Sequence, residues 1–281
     1  MTKIDFVIPQ TQGTVRHLLA EAGWKPEFEH GHPEEEEEQG QILNRGIIRQ
    51  TGDAIIQVRS MDALRLVASG SFDVGMVGTD CILEKPTWKV EKLAEFSFGR
   101  LWGFEPPRLE IVVPGRFKTQ SLRKIKPGAI FLSERPAITR QFLQNLGFDT
   151  ELETNGDPSL FKEKLIAQNQ VGIWEVLGAV PVQLKEAGYY GVMVNESGRT
   201  VRDYDLRVID KILDISTVLI ANPNSFQDEQ KRERIWSLRR DLEVTYKKLE
   251  AEIPRGAEPE AIQSRSEEET QRPNGNGERR L

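Results

Sequence analysis

Short apolar runs alternate with helix-length amphipathic stretches along most of this chain, and few architectures accept that order. Residues 4–8 read as a buried strand closed by Pro9. Residues 14–22 follow as a helix with Val15, Leu18 and Leu19 on one face and Gly23 at its end. Residues 54–58 and 72–77 are further strands, rich in β-branched side chains. Between them 61–68 reads as a helix, with Ser60 as its N-cap and Gly70 just past its end.

The pattern then resumes. Residues 109–113, 129–132, 171–174, 192–194 and 218–221 are strand-like, and 137–146, 178–187 and 227–253 helical. Strands alternating with helices require βαβ crossovers and parallel sheets, so the fold class is α/β. The Gly-Phe-Glu-Pro-Pro stretch at 103–107 interrupts the alternation and marks a lobe boundary. The expected division is a first lobe of residues 1–103 with 204–253, a second lobe of 104–203, and a tail of 254–281. That tail is polar and Gly/Pro-punctuated, as is segment 30–41, and neither has the apolar surface to offset the entropy of ordering.

Charge and cysteine content limit the function classes. The formal charge is −6, but much of it sits in the acidic runs 34–38 and 267–269, which leaves a nearly balanced body. No stripe of Arg and Lys with interleaved aromatics is present, which argues against nucleic acid as a partner. No apolar run approaches the roughly 20 residues needed to cross a bilayer, and the first residues do not read as a signal peptide. With Cys81 the single cysteine, no intrachain disulfide can form. The expected location is cytoplasmic, with no membrane partner.

Two segments carry candidate chemistry. Asn195-Glu196-Ser197-Gly198-Arg199-Thr200 follows a strand and precedes a charged helical stretch. Backbone amides at such a turn, close approach at Gly198, and the hydroxyls of Ser197 and Thr200 suit an anion. The same pattern also occurs as a plain turn. In the second segment a strand ends at Arg59, and another runs into Gly78-Thr79-Asp80, with Leu83-Glu84 following. Open α/β sheets bind ligands at the carboxyl ends of their strands, so Arg59, Thr79 and Asp80 would border one crevice. Gly75 and Gly78 read equally as packing residues. His30 and His32 flank Gly31 and precede the acidic run without a cysteine partner, and they read as part of a solvated loop.

The order of short motifs resembles that of the ATP phosphoribosyltransferases, the enzymes that open histidine biosynthesis. Residues 71–84, Ser-Phe-Asp-Val-Gly-Met-Val-Gly-Thr-Asp-Cys-Ile-Leu-Glu, are similar to that family's first-lobe signature. Phe98-Gly99-Arg100, Ser133-Glu134-Arg135-Pro136, Gly172-Ile173-Trp174-Glu175, Glu196-Ser197-Gly198-Arg199-Thr200 and Leu219-Ile220-Ala221-Asn222 follow in the family's order. The resemblance implies two lobes, each a mostly parallel sheet flanked by helices, periplasmic-binding-protein-like, with a cleft between them. It implies a glycosyltransferase (phosphoribosyltransferase) acting on ATP and phosphoribosyl diphosphate, with Mg²⁺ as cofactor.

On that resemblance Glu196 and Arg59 are the catalytic candidates. Ser197, Gly198, Arg199 and Thr200 would hold phosphate or ribose, and Gly78, Thr79, Asp80 and Glu175 the nucleotide. The resemblance is to the short type, which implies a hetero-oligomer with a regulatory subunit resembling a histidyl-tRNA synthetase, or a homo-oligomer. Helix 227–253 offers an assembly surface or packs on its own lobe. The chain departs from the family pattern where a basic turn follows the first strand, here Gln10-Thr11-Gln12-Gly13. It departs again where Met193 stands in place of an acidic residue, and near Tyr189. A catalytically degenerate paralogue that binds an anionic ligand is the alternative reading.

Overall fold

In a computed structural model of the chain, residues 2–10, 13–28, 44–99, 105–118, 121–187 and 189–252 are described. Segment 30–41 and the whole of the tail lie outside them. The chain builds one lobe, crosses to a second, and returns to finish the first.

The first pass comprises β1 (Phe6–Pro9), α1 (Gly13–Glu21), β2 (Pro26–Phe28), β3 (Asn44–Ile48), β4 (Ala54–Val58), α2 (Ser60–Ala68), β5 (Val74–Gly78), α3 (Thr79–Glu84) and β6 (Glu91–Phe96). The second lobe holds β7 (Arg108–Pro114), β8 (Ile130–Ser133), α4 (Pro136–Asn145), β9 (Thr150–Glu153), α5 (Pro158–Ala167), β10 (Val171–Glu175), α6 (Val180–Ala187), β11 (Tyr190–Asn195), α7 (Arg199–Asp203) and β12 (Leu206–Asp214). The return supplies β13 (Thr217–Ala221), α8 (Pro223–Gln227) and α9 (Glu229–Glu252).

The first sheet has the order β2-β3-β4-β1-β5-β13-β6 and the second β12-β7-β11-β8-β10-β9. Parallel pairing holds the centre of the first sheet, β4-β1-β5, and most of the second, β11-β8-β10-β9. Antiparallel strands complete the edges.

Strand alternation divides each core in two. Phe6 and Ile8 face a cluster with Leu18 and Leu19 of α1 and Ile235, Leu238 and Leu242 of α9. Val7, between them, faces Leu64 and Val67 of α2. Period-2 side-chain direction makes that split unavoidable in a strand covered on both faces. In the second lobe Phe131 joins Ile138 and Leu143 of α4, while Ile130 and Leu132 join Phe161 and Leu165 of α5.

Helix α9 therefore packs on its own lobe. Arg234 donates to the carboxylate of Asp53, which is fully buried and also accepts from the Ile4 amide at 3.0 Å. Lys231 reaches Asp73 at 2.7 Å. Trp236 and Val244 stay exposed on the outer face.

Two sequence expectations are corrected. Ser60 is the first helical residue of α2, and Arg59 occupies the cap position with no side-chain capping bond. The return to the first lobe was expected at residue 204, but β12 is a strand of the second sheet, antiparallel to β7. The recrossing comes at Ile215 and Ser216. Its amide bonds join it to the outgoing segment, Ile215 N to Pro107 O at 2.7 Å, and to the first lobe, Ser216 N to Thr79 Oγ1 at 3.1 Å.

Candidate functional site

Helix α3 leaves the carboxyl end of β5, and α4 leaves the carboxyl end of β8; the two helices meet between the lobes. The carboxyl edges of both parallel sheets therefore open on the same region, where ligands bind in open α/β folds. At the second sheet's edge β11 and β10 flank β8. Loop 196–200, the Arg135 turn and Glu175 thus leave three neighbouring strands, each about 5 Å from the next. In the first sheet Arg59 ends β4, two strands from Thr79, or about 10 Å.

The two expected segments differ in what their groups already hold. Gly78 is buried, and a Cβ there would meet Asp80 Oδ1 at 2.1 Å, so only glycine lets the Asp80 carboxylate fold back on the strand end. Asp80 is 4% exposed and pairs with Arg135 Nε at 2.7 Å. One helical turn on, Glu84 accepts from the amides of Ala137 and Ile138 at 2.9 and 3.1 Å, capping α4 from the other lobe. Thr79 donates its amide to Ser216 O, and its hydroxyl oxygen accepts from Ser216 N. Thr79, Asp80 and Glu84 are thus engaged in joining the lobes.

Burial raises the Glu84 carboxyl above its ordinary value, against the opposing effect of the two amide bonds. Cys81 lies beside this clasp. Burial, with Asp80 next to it, pushes its thiol up to about 12, so it packs as an apolar group.

Loop 196–200 is open by contrast. Gly198 sits at φ +70°, a left-handed conformation that favours glycine. Its amide donates to Asn195 Oδ1 at 3.1 Å, and Asn195 Nδ2 donates to the buried Glu110 at 2.6 Å. Arg199 is 81% exposed and pairs loosely with Asp203 at 3.4 Å, and Arg202 donates to Ser197 O at 3.1 Å. By helix geometry the amides of the first turn of α7 lack intrahelical acceptors. The loop therefore offers amides, the hydroxyls of Ser197 and Thr200, and two arginines at one strand end. Arg59 is likewise exposed.

A cavity of about 510 Å³ opens along α4, lined by Glu84, Lys85, Arg140, Gln141, Gln144 and Glu175 among others. Of the expected site residues it contains Glu175 alone. Met193 is partly buried and packs against the apolar cluster of Val112, Leu132 and Val180. Among the described residues no group of three or more His, Cys, Asp or Glu converges as a metal cage. No helix of the described residues is long and apolar enough to cross a membrane.

Sequence reasoning quoted Arg135 and Glu84 without giving them a role, although the i, i+4 spacing of Asp80 and Glu84 puts both carboxylates on one helix face. Glu110 was missed. Its signal was a lone charge inside the apolar run 109–113.

Two α/β lobes whose parallel strands end on one interlobe region define the class of two-lobed α/β proteins. Comparison with known proteins narrows that class. Residues 59–244 match the family model described as HisG: ATP phosphoribosyltransferase, and this chain belongs to that family. It is 29% identical over 203 residues to an ATP phosphoribosyltransferase of Methanocaldococcus jannaschii, covering 69% of this chain and 60% of that one. It is 29% identical over 180 residues to the enzyme of the same name from Chlorobaculum parvum, with coverage of 64% and 53%. The chain thus spans little more than half the length of these relatives. Its fold is similar to a solved ATP phosphoribosyl transferase (HisG:HisZ) complex from Thermotoga maritima, with TM-score 0.59, 20% identity, and coverage of 87% of this chain and 98% of that one.

Proposed function

We propose that this chain transfers the phosphoribosyl group of phosphoribosyl diphosphate to N1 of ATP and releases pyrophosphate, the first step of histidine biosynthesis. The observation that supports this most is the open loop 196–200, in a chain that matches the family across both lobes. In this reading Ser197 and Thr200 hold phosphate by amide and hydroxyl donors, Gly198, its amide already given to Asn195, lets the loop turn, and Arg199 adds positive charge. Arg59 faces the same opening from β4 and balances charge developing on the departing diphosphate. Glu196 sits beside the ribose. Gly78, Thr79 and Asp80 form the wall of the nucleotide side rather than its ligands, since the groups of Thr79 and Asp80 are taken by Ser216 and Arg135. Glu175 borders the cavity and is the nucleotide contact.

Mg²⁺ fits as an ion carried on the substrate's diphosphate, because Mg²⁺ typically keeps phosphate and water ligands with only one or two carboxylates. Glu196 is the carboxylate the loop offers; the metal would supply charge neutralisation on the leaving group. A regulatory subunit resembling a histidyl-tRNA synthetase is the proposed partner. The fold likeness to a solved two-component complex supports that reading, with the cytoplasm as its setting.

The test is pyrophosphate release with both substrates and Mg²⁺, with and without such a subunit. Release that needs ATP as well as phosphoribosyl diphosphate is expected; none under either condition would contradict the reading. The second reading, binding without turnover, is favoured by one observation: the expected carboxylate is replaced by Met193, which packs as an apolar residue.

A further inference from the structure

A buried carboxylate stands one strand away from Met193. In the antiparallel pairing of β11 with β7, Met193 lies opposite Glu110 and Asn195 opposite Arg108. Directly paired residues and residues two positions along point to the same face of a sheet, so Met193, Glu110, Asn195 and Arg108 share one face. Glu110 is 5% exposed, in a strand whose other central residues are apolar. Its two oxygens are both engaged. Oε1 lies 3.2 Å from Arg108 Nε, and Oε2 accepts from Asn195 Nδ2 at 2.6 Å.

Donating its amide nitrogen to Glu110 leaves Asn195 its oxygen alone to turn toward the loop, where it accepts from Gly198 N at 3.1 Å. An ion pair between Arg108 and Glu110 thus leads into two hydrogen bonds, Asn195 to Glu110 and Gly198 to Asn195. Together they orient the asparagine amide and thereby fix the residue at φ +70° on which the loop turns.

We propose that Glu110 and Asn195 are positioning residues that preset loop 196–200 for a phosphate-bearing ligand. This rests on the reading of that loop as the phosphoribosyl diphosphate site. Glu110 acts through Asn195 and does not touch substrate. A buried carboxylate with no task in the apolar face of β7 would be strongly unfavourable if left unpaired, and here both oxygens are paired toward one end, the loop.

The test is a reversal of donor and acceptor. In Asn195→Asp the donor to Glu110 is lost and two carboxylates meet at hydrogen-bond distance. In Asn195→Asp combined with Glu110→Gln, the glutamine amide donates to the carboxylate introduced on β11, which keeps its second oxygen for Gly198 N. Calorimetric titration with phosphoribosyl diphosphate and Mg²⁺ should show affinity falling about tenfold or more in the single variant, the scale of a lost charge-assisted hydrogen bond. The double variant should recover to within about threefold of the wild type, since the pairing is restored with donor and acceptor exchanged.

Hydrogen exchange of the Gly198 amide, followed without ligand, should accelerate in the single variant and slow again in the double. Wild-type affinity in the single variant, or no recovery in a folded double variant, would overturn the relay. If the wild-type protein does not bind phosphoribosyl diphosphate, the reading of the ligand fails, and Gly198 exchange alone decides the relay. Unchanged exchange in the single variant overturns it; faster exchange that the double variant reverses upholds it.

Discussion

The turn at 78–84 and the turn at 195–203 are built alike: a strand, a glycine, then a short helix at the carboxyl edge of a sheet. Their groups are committed differently. In the first, Asp80 and Glu84 are each 4% exposed, and their oxygens are held by the other lobe. In the second, Ser197 and Arg199 are exposed, and the loop is held by Asn195 at its base and by Arg202 at Ser197 O. Buried, partnered groups of this kind hold structure, while exposed groups on a rigid base remain available to a ligand. Motif likeness alone would have given both turns the same role.

The largest effect expected from breaking this contrast is on stability. Arg135→Ala strands Asp80 without its partner between the lobes and should cost about 3–5 kcal/mol in denaturant unfolding. A cost under about 1 kcal/mol, the scale of an exposed pair, would mean that the clasp is dispensable. Glu84→Ala leaves two α4 amides uncapped and should cost about 1–3 kcal/mol.

Glu84 also carries a pH signature. Its folded value is raised above the ordinary 4.5, so between those two values the folded protein keeps a proton that the unfolded chain releases. Its contribution to stability is then fully present below pH 4.5 and lost as pH rises through the folded value. Glu84→Gln should remove that fall from a plot of stability against pH; an unaltered slope would assign it to another group.

Gly198→Ala should cost about 1–2 kcal/mol, the penalty of a side chain in the left-handed region, and weaken ligand binding by more than it lowers stability. Arg199→Ala should be smallest in the melt, within about 0.5 kcal/mol, because its pairing with Asp203 is an exposed i, i+4 contact. Its effect should show instead in affinity for phosphate-bearing ligands.

Much of the fold was legible because the central strands announce themselves. The apolar runs of β1, β4, β5 and β8 are short and flanked by capping or turn residues, and each lies near its expected position. The edges were not legible. β12 is interrupted by two register shifts, between Val208 and Asp210 and between Lys211 and Leu213, which erase the two-residue alternation. That loss put the expected return of the chain too early. Helix α5 was overlooked although Asp157 and Pro158 spell its start: the aspartate accepts from Ser159 N and Leu160 N at 2.7 and 3.2 Å.

Around the strand ends, the partners of the candidate residues were not readable. Asp80 and Thr79 looked like ligand contacts because nothing in the sequence brings Arg135 or Ser216 beside them. Those partners lie 55 and 137 residues away along the chain. Glu110 was invisible for the same reason, 85 residues from the asparagine it orients.

The contrast between the two turns is tested most directly by calorimetric titration of the protein with phosphoribosyl diphosphate and Mg²⁺, alongside Thr200→Ala and Asp80→Asn. Saturable binding is expected in the wild type, lost in Thr200→Ala, and retained in Asp80→Asn wherever that variant stays folded. Equal binding in Thr200→Ala, or no saturable binding of the wild type at millimolar concentration, would contradict the assignment of loop 196–200 as the phosphate site.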